Sequence, residues 1–525
     1  MTNQNTVRRT VLAASMMAVL ASATPTASAT PTAVAPTAAA APTALAAPPQ
    51  RGSGPKWCPT VDDHRVDCGA ITRPLVAGKP KLGTIDVSYA VVRHRGPGAA
   101  KGTVAVNPGG PGEVAIDRAP EFAAGLDAVL KDHDVLLVDP RGTGRSERIP
   151  CGVTDVEYRF GSRKQQRDAV TRCARNLGPK AQGYTTAATA DDIDAVRARL
   201  GAKKLTLYGL SYGTYLMPVY ASRHPERVRS IVLSGAYPLG FDPLVRPSAQ
   251  AVSLALRRIC DRSVPAACDG QKAVRDLRTT AERLRDRPLD VPFEAAGAKR
   301  RLRFTEGQLA NLLFEAASRG AGAVPGEPSL LGSVPHALHR FVQGDTAPLR
   351  RLIREEASSA TTEDQAPYAA VVCNDYRKAW STQASTAQRW RQYRAALAAT
   401  KPGEHGAFSA KGFTEGPTDG GDVCIGWPRA TTASPQPTRP RMPDVPVLVL
   451  SGDLDANTPD ANGRAAGRQF GHSTFFSVRN VGHVPELEQS GCVTGVTARF
   501  IRTGTPGDTA CLQSLPPIAV APVRR

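Results

Sequence analysis

The pentapeptide Gly209-Leu210-Ser211-Tyr212-Gly213 constrains this chain more than any other feature of it. It follows the apolar run Leu205-Thr206-Leu207-Tyr208 and precedes a helical pattern from Tyr215 to Arg223. A strand that turns sharply into a helix brings backbone close to backbone, so a Cβ at either glycine would clash. The turn throws the serine hydroxyl clear of the strand and aims a helix N-terminus at the space beyond it. A serine hydroxyl is a weak nucleophile near neutral pH. The pattern therefore implies a base and an orienting acid elsewhere in the chain.

The surrounding elements fit such a turn. Val104–Val106, Asp134–Val138, Val228–Leu233, Val445–Leu450 and Thr474–Val478 read as strands, and Gly83–Val92 alternates with period two. Ala187–Leu200 carries Ile193, Val196 and Leu200 on one helical stripe. Strands separated by helices predict an α/β class protein with a mostly parallel sheet covered on both faces. From about Phe241 the alternation gives way to helical patterns at Ser248–Arg262, Gln271–Arg285, Glu306–Ser318, Ala366–Trp380 and Gln388–Ala398. This predicts an inserted helical cap over residues 241–440. The core is then split into a first part, 56–240, and a second, 441–525.

For a nucleophile on this kind of turn, the acid and then the base are expected later in the chain. Ser451-Gly452-Asp453-Leu454-Asp455 follows a strand; Asp455 is the expected acid, with Asp453 in reserve. Asn480-Val481-Gly482-His483 follows the last strand, and His483 is the expected general base. Donors for a tetrahedral oxyanion are expected from Gly110 N–H, in Asn107-Pro108-Gly109-Gly110-Pro111-Gly112, and from Tyr212 N–H. This chemistry requires no metal and no other cofactor.

The N-terminus reads as an export signal over residues 1–29. Arg8 and Arg9 precede an apolar stretch from Val11 to Ala21, and Ala27-Ser28-Ala29 offers a small-residue cleavage pattern. Arg8-Arg9-Thr10-Val11-Leu12 is also compatible with a twin-arginine signal, so folded or unfolded export both remain open. The apolar core is too short to span a bilayer, which argues against a stable membrane anchor. Residues 30–55 are rich in Ala, Pro and Thr and read as a leader or linker. Ten cysteines in an exported chain imply disulfides. Proximity suggests Cys58/Cys68, Cys151/Cys173, Cys260/Cys268, Cys373/Cys424 and Cys492/Cys511. The formal charge of +19 is scattered, without a groove-reading motif or interleaved aromatics, so nucleic acid is not the expected partner. A generally basic solvated surface accounts for it, and such a surface can associate with an anionic cell-wall polymer.

Four motifs together resemble one family. They are Gly109-Gly110-Pro111-Gly112, Asp139-Pro140-Arg141-Gly142-Thr143-Gly144-Arg145-Ser146, Gly209-Leu210-Ser211-Tyr212-Gly213, and Gly452-Asp453-Leu454-Asp455 with Gly482-His483. The chain is similar to secreted α/β-hydrolase serine peptidases of the proline iminopeptidase and tripeptidyl aminopeptidase group, from about Cys58 to Cys511. The resemblance implies the α/β-hydrolase fold, favours Asp455 over Asp453, and implies release of short peptides, often tripeptides, from a free N-terminus. An exopeptidase of this kind must hold the substrate ammonium, and Asp375, Glu315 and Glu486 are the candidate carboxylates. Glu113-Val114-Ala115 stands where the resemblance leads one to expect small Gly/Ser residues. The competing readings are a secreted carboxylesterase with the same triad and a catalytically inactive wall-binding protein.

Overall fold

The computed structural model describes residues 54–523, apart from 150, 319–325, 362, 364, 418–419, 430–436 and 438. The export signal and nearly all of the Ala/Pro/Thr-rich segment lie outside the described residues. Ten strands are formed: β1 (Val66–Pro74), β2 (Thr84–Val92), β3 (Thr103–Asn107), β4 (Asp134–Val138), β5 (Leu205–Leu210), β6 (Val228–Ser234), β7 (Leu289–Ala295), β8 (Ala298–Phe304), β9 (Val447–Gly452) and β10 (Ser473–Val478).

Eight of them make one sheet in the order β1-β2-β4-β3-β5-β6-β9-β10. The two outer pairings, β1 with β2 and β2 with β4, are antiparallel. Every other pairing is parallel. The central strands are buried along their whole length because both faces are covered. Their side chains alternate between two cores. Leu136, Leu207, Ile231 and Val449 enter one, while Val135, Leu137, Tyr208 and Leu450 enter the other. The register sets Asn107 at the end of β3 beside Gly209 near the end of β5. The glycine-rich turn and the serine turn therefore leave the same edge of the sheet, where open α/β sheets bind their ligands.

Between β6 and β9 the described chain adds no strand to this sheet. It forms helices at Arg246–Asp261, Gly270–Asp286, Glu306–Ser318, Leu330–Val342, Ala347–Ser358, Ala366–Asp375 and Thr386–Ala398. The helix expected to reach Trp380 stops at Asp375, where Tyr376 takes an extended conformation. The insert also contains a feature the sequence reading did not expect, the antiparallel hairpin β7–β8. Its residues fall into two groups. Leu256, Leu277, Phe304, Leu338 and Ile353 build a core of their own, whereas Ala369, Val372, Tyr376, Trp380 and Ile425 join the core beneath β5 and β6.

The five disulfides pair the cysteines as proximity suggested. Cys373–Cys424 ties the end of the helix Ala366–Asp375 to a segment 51 residues on.

Candidate active site

The serine turn is as tight as its glycines require. A Cβ on Gly209 would lie 2.3 Å from the carbonyl oxygen of Gly213, and one on Gly213 would lie 2.7 Å from that of Asn107. Ser211 itself sits at φ 51°, a left-handed conformation that costs an L-residue roughly 1–2 kcal/mol. Its N–H donates to Ser234 O at 2.9 Å, which locks the turn to the end of β6. The helix Gly213–Arg223 starts directly behind it.

The acid and base meet from two other loops. His483 Nδ1 lies 2.9 Å from Asp455 Oδ2. Asp455 is buried, and its other oxygen accepts from Asn457 N at 2.7 Å and Thr458 N at 2.9 Å. Thr458 Oγ1 donates to Asp455 Oδ2 at 2.5 Å and stands 2.9 Å from His483 Nδ1. The carboxylate thus fixes the imidazole with its proton on Nδ1, leaving Nε2 as the basic nitrogen. Nε2 is buried and has no hydrogen-bond partner among the described residues. No hydrogen bond joins Ser211 Oγ to Nε2 among the described residues. The ring packs on Gly235, the residue after Ser234, where a Cβ would lie 2.9 Å from His483 Cε1.

Asp453 has a different task. Its carboxylate takes Arg262 Nη1 at 2.6 Å and the backbone N–H of Asn480 at 2.8 Å, so it braces the loop that carries the histidine.

The glycine-rich turn abuts the serine. A Cβ on Gly109 would lie 2.8 Å from Ser211 Cβ, and Gly109 and Gly110 take φ 110° and 98°, which glycine alone tolerates. Asn107 Oδ1 accepts from Gly109 N at 3.1 Å. Further along, buried Asp139 accepts from the N–H groups of Ala115, Ile116 and Arg145 at 2.8–2.9 Å. The Asp139-Pro140-Arg141-Gly142 motif therefore serves as an anchor for the turn. Burial pushes the Asp139 carboxyl up, against those three donors.

A cavity of about 570 Å³ opens from this turn, walled by Gly110, Glu113, Tyr237, Glu315, Tyr368 and Asn457 among others. Of the three candidate ammonium ligands, only Glu315 lines it. Asp375 is buried below the elbow, where Oδ2 accepts from Thr186 N at 2.5 Å and Thr186 Oγ1 at 2.6 Å. Thr186 Oγ1 in turn meets Tyr212 OH at 2.8 Å. Burial pushes the Asp375 carboxyl up to about 6. Glu486 accepts from Tyr208 OH at 2.8 Å and from Ser234 Oγ, tying the histidine loop to β5 and β6; burial raises its carboxyl as well. Both acids support the site from behind.

Sequence reasoning missed Thr458 and Gly235. Thr458 lies three residues after Asp455, the spacing at which an aspartate caps its own turn, and that signal was available. Nothing local marks Gly235.

Residues 102–264 match the family described as alpha/beta hydrolase fold, and residues 413–511 match the one described as TAP-like protein. The chain has the α/β-hydrolase fold, and its C-terminal part is similar to TAP-like proteins. It is 32% identical over 207 residues to a tripeptidyl aminopeptidase of Streptomyces lividans, covering 36% of this chain and 37% of that protein. It is 32% identical over 201 residues to the serine protease Hip1 of Mycobacterium tuberculosis, covering 35% of this chain and 38% of that one. The chain thus spans well under half the length of these two relatives. A proline iminopeptidase structure from Mycobacterium smegmatis aligns over 83% of this chain and 98% of its own, with 14% identity and a TM-score of 0.37.

Proposed function

We propose that this protein is a serine exopeptidase acting through an acyl-enzyme on Ser211, and that it releases short N-terminal peptides, tripeptides among them. The observation that carries the proposal is the buried Asp455–His483 pair at 2.9 Å, with Nε2 left unbonded and the ring packed on Gly235, next to the Ser234 carbonyl that takes the Ser211 N–H. Ser211 Oγ attacks the scissile carbonyl carbon while its proton passes to Nε2. The carbonyl π-bond opens to an oxyanion, which Gly110 N–H and Tyr212 N–H receive. The C–N bond then breaks as Nε2 returns the proton to the leaving amine, and water repeats the sequence on the ester. Asp455 keeps its negative charge throughout and stabilises the imidazolium.

Glu315 is our candidate to hold the substrate ammonium, and its position in the wall of the cavity that the turn opens into supports this. The two relatives, an aminopeptidase and a protease by name, agree with a peptide substrate. Five disulfides suit an oxidising compartment, and no helix among the described residues is long and apolar enough to cross a membrane. We therefore place the protein outside the cytoplasm, with an anionic cell-wall polymer as a candidate surface partner.

Hydrolysis of a chromogenic tripeptide with a free or a blocked N-terminus, beside a short acyl ester, tests the reading. Cleavage of the free-amine peptide alone supports it. Turnover of the ester alone assigns a carboxylesterase instead.

A further inference from the structure

Glu113 follows the oxyanion turn directly and lines the cavity that opens from it. Its side chain folds back on the turn, so that a Cβ on Gly110 would lie 3.3 Å from Glu113 Cγ. The residue is exposed, and its carboxylate makes no ion pair and no side-chain hydrogen bond among the described residues. This is unusual company for an acid here. The chain carries 66 Lys and Arg against 47 Asp and Glu, and two of the other acids that line the cavity, Asp117 and Asp155, pair with Arg145 and Arg159.

An unneutralised carboxylate beside an oxyanion donor opposes the reaction. Negative charge develops on the carbonyl oxygen in the transition state, and a neighbouring negative charge raises the barrier. A positive group on the substrate at this point reverses the effect. It pairs with Glu113, removes the repulsion and anchors the residue being cut. We propose that Glu113 makes this enzyme selective for substrates with a basic side chain, lysine or arginine, on the residue whose carbonyl is attacked.

This rests on the Ser211 acyl-enzyme but not on the leaving group being an amine. The N-terminal ammonium of a tripeptide cannot supply the charge, because three extended residues put it about 10 Å away. The ammonium of a single released residue could, and the test separates the two.

Tripeptide p-nitroanilides with a free N-terminus and either lysine or norleucine in the third position give the readout. Wild-type protein is expected to favour lysine in kcat/KM by about fivefold or more, the worth of one partly exposed ion pair. The preference shrinks as ionic strength rises. In Glu113→Gln the ratio falls towards one, and in Glu113→Lys it inverts. Because both substrates are measured on one preparation, a partly folded variant leaves the ratio unaffected. A wild-type ratio near one, or a ratio that Glu113→Gln does not move, overturns the proposal. So does a Glu113→Gln variant that changes only the ratio of free to N-acetylated substrate, which would assign Glu113 to the ammonium. If no anilide is cut, the peptidase reading fails by itself. The same lysine and norleucine comparison on Nα-acyl p-nitrophenyl esters then decides the role of Glu113.

Discussion

Gly235 faces the His483 ring so closely that a Cβ on the glycine would lie 2.9 Å from Cε1 and 3.0 Å from Nδ1. The same glycine holds φ 64° and follows the residue that accepts the Ser211 N–H. One small residue thus seats the base against the nucleophile's turn. Gly235→Ala is expected to push the imidazole away and lower kcat by about 10²-fold, the order expected for a displacement near 1 Å. Steady-state kinetics normalised to folded protein checks this. Activity within twofold of wild type contradicts it.

Thr458 completes the acid. Its hydroxyl donates to Asp455 Oδ2 and sits within 2.9 Å of His483 Nδ1. Thr458→Val removes that donor from a buried carboxylate, a loss worth about 1.5–3 kcal/mol, and kcat should fall by about tenfold or more. Thr458→Ser should restore most of the rate, which a purely steric effect of the methyl group would not allow.

Asp453 and Asp455 stand two residues apart and should separate cleanly. Asp455→Asn is expected to lower kcat by about 10⁴-fold by favouring the wrong histidine tautomer. Asp453→Asn weakens the pairing with Arg262 and should instead lower stability, by about 1–2 kcal/mol for a partly screened pair. Urea denaturation and kinetics on both variants distinguish the two roles.

Asp375 predicts a pH dependence. Its carboxyl is raised from 3.8 to about 6 by burial. Between those values the folded protein holds a proton that the unfolded chain has lost, so stability is greater at the acid end and declines as pH rises from about 4 to about 6. The contribution is up to about 3 kcal/mol. Asp375→Asn should flatten this segment of the stability profile, read as the difference in unfolding free energy between variant and wild type at pH 4 and pH 6.5. An unchanged slope contradicts the buried acid.

The sheet was legible where strands are buried on both faces. Val135–Val138 is an unbroken apolar run and Leu205–Leu210 is mostly apolar, and the structure forms strands there. β1 was missed because it is an edge strand with no fully buried residue, so its sequence lacks a core signature. The hairpin was missed for a different reason. Val291, Phe293 and Ala295 alternate inward with period two, but they lie in a stretch dominated by helical patterns.

In the site, the serine turn was legible because sterics dictate its two glycines. The pairing of Asp455 with His483 was legible because each follows a strand. The placement of Asp375 and Glu486 was not, since their partners Thr186, Tyr208 and Ser234 lie 189, 278 and 252 residues away. Only packing of the insert and the histidine loop onto the elbow brings those groups together.

Ser211 is the hinge of the account, and a fluorophosphonate that reacts only with activated serines tests it most directly. Peptide mass spectrometry should find one adduct, on the fragment bearing Ser211. The adduct should be lost in Ser211→Ala, strongly reduced in His483→Ala, and accompanied by a fall in kcat of about 10⁶-fold for the serine variant. Labelling at another residue, or Ser211→Ala protein that still turns over substrate at the wild-type rate, would contradict the account.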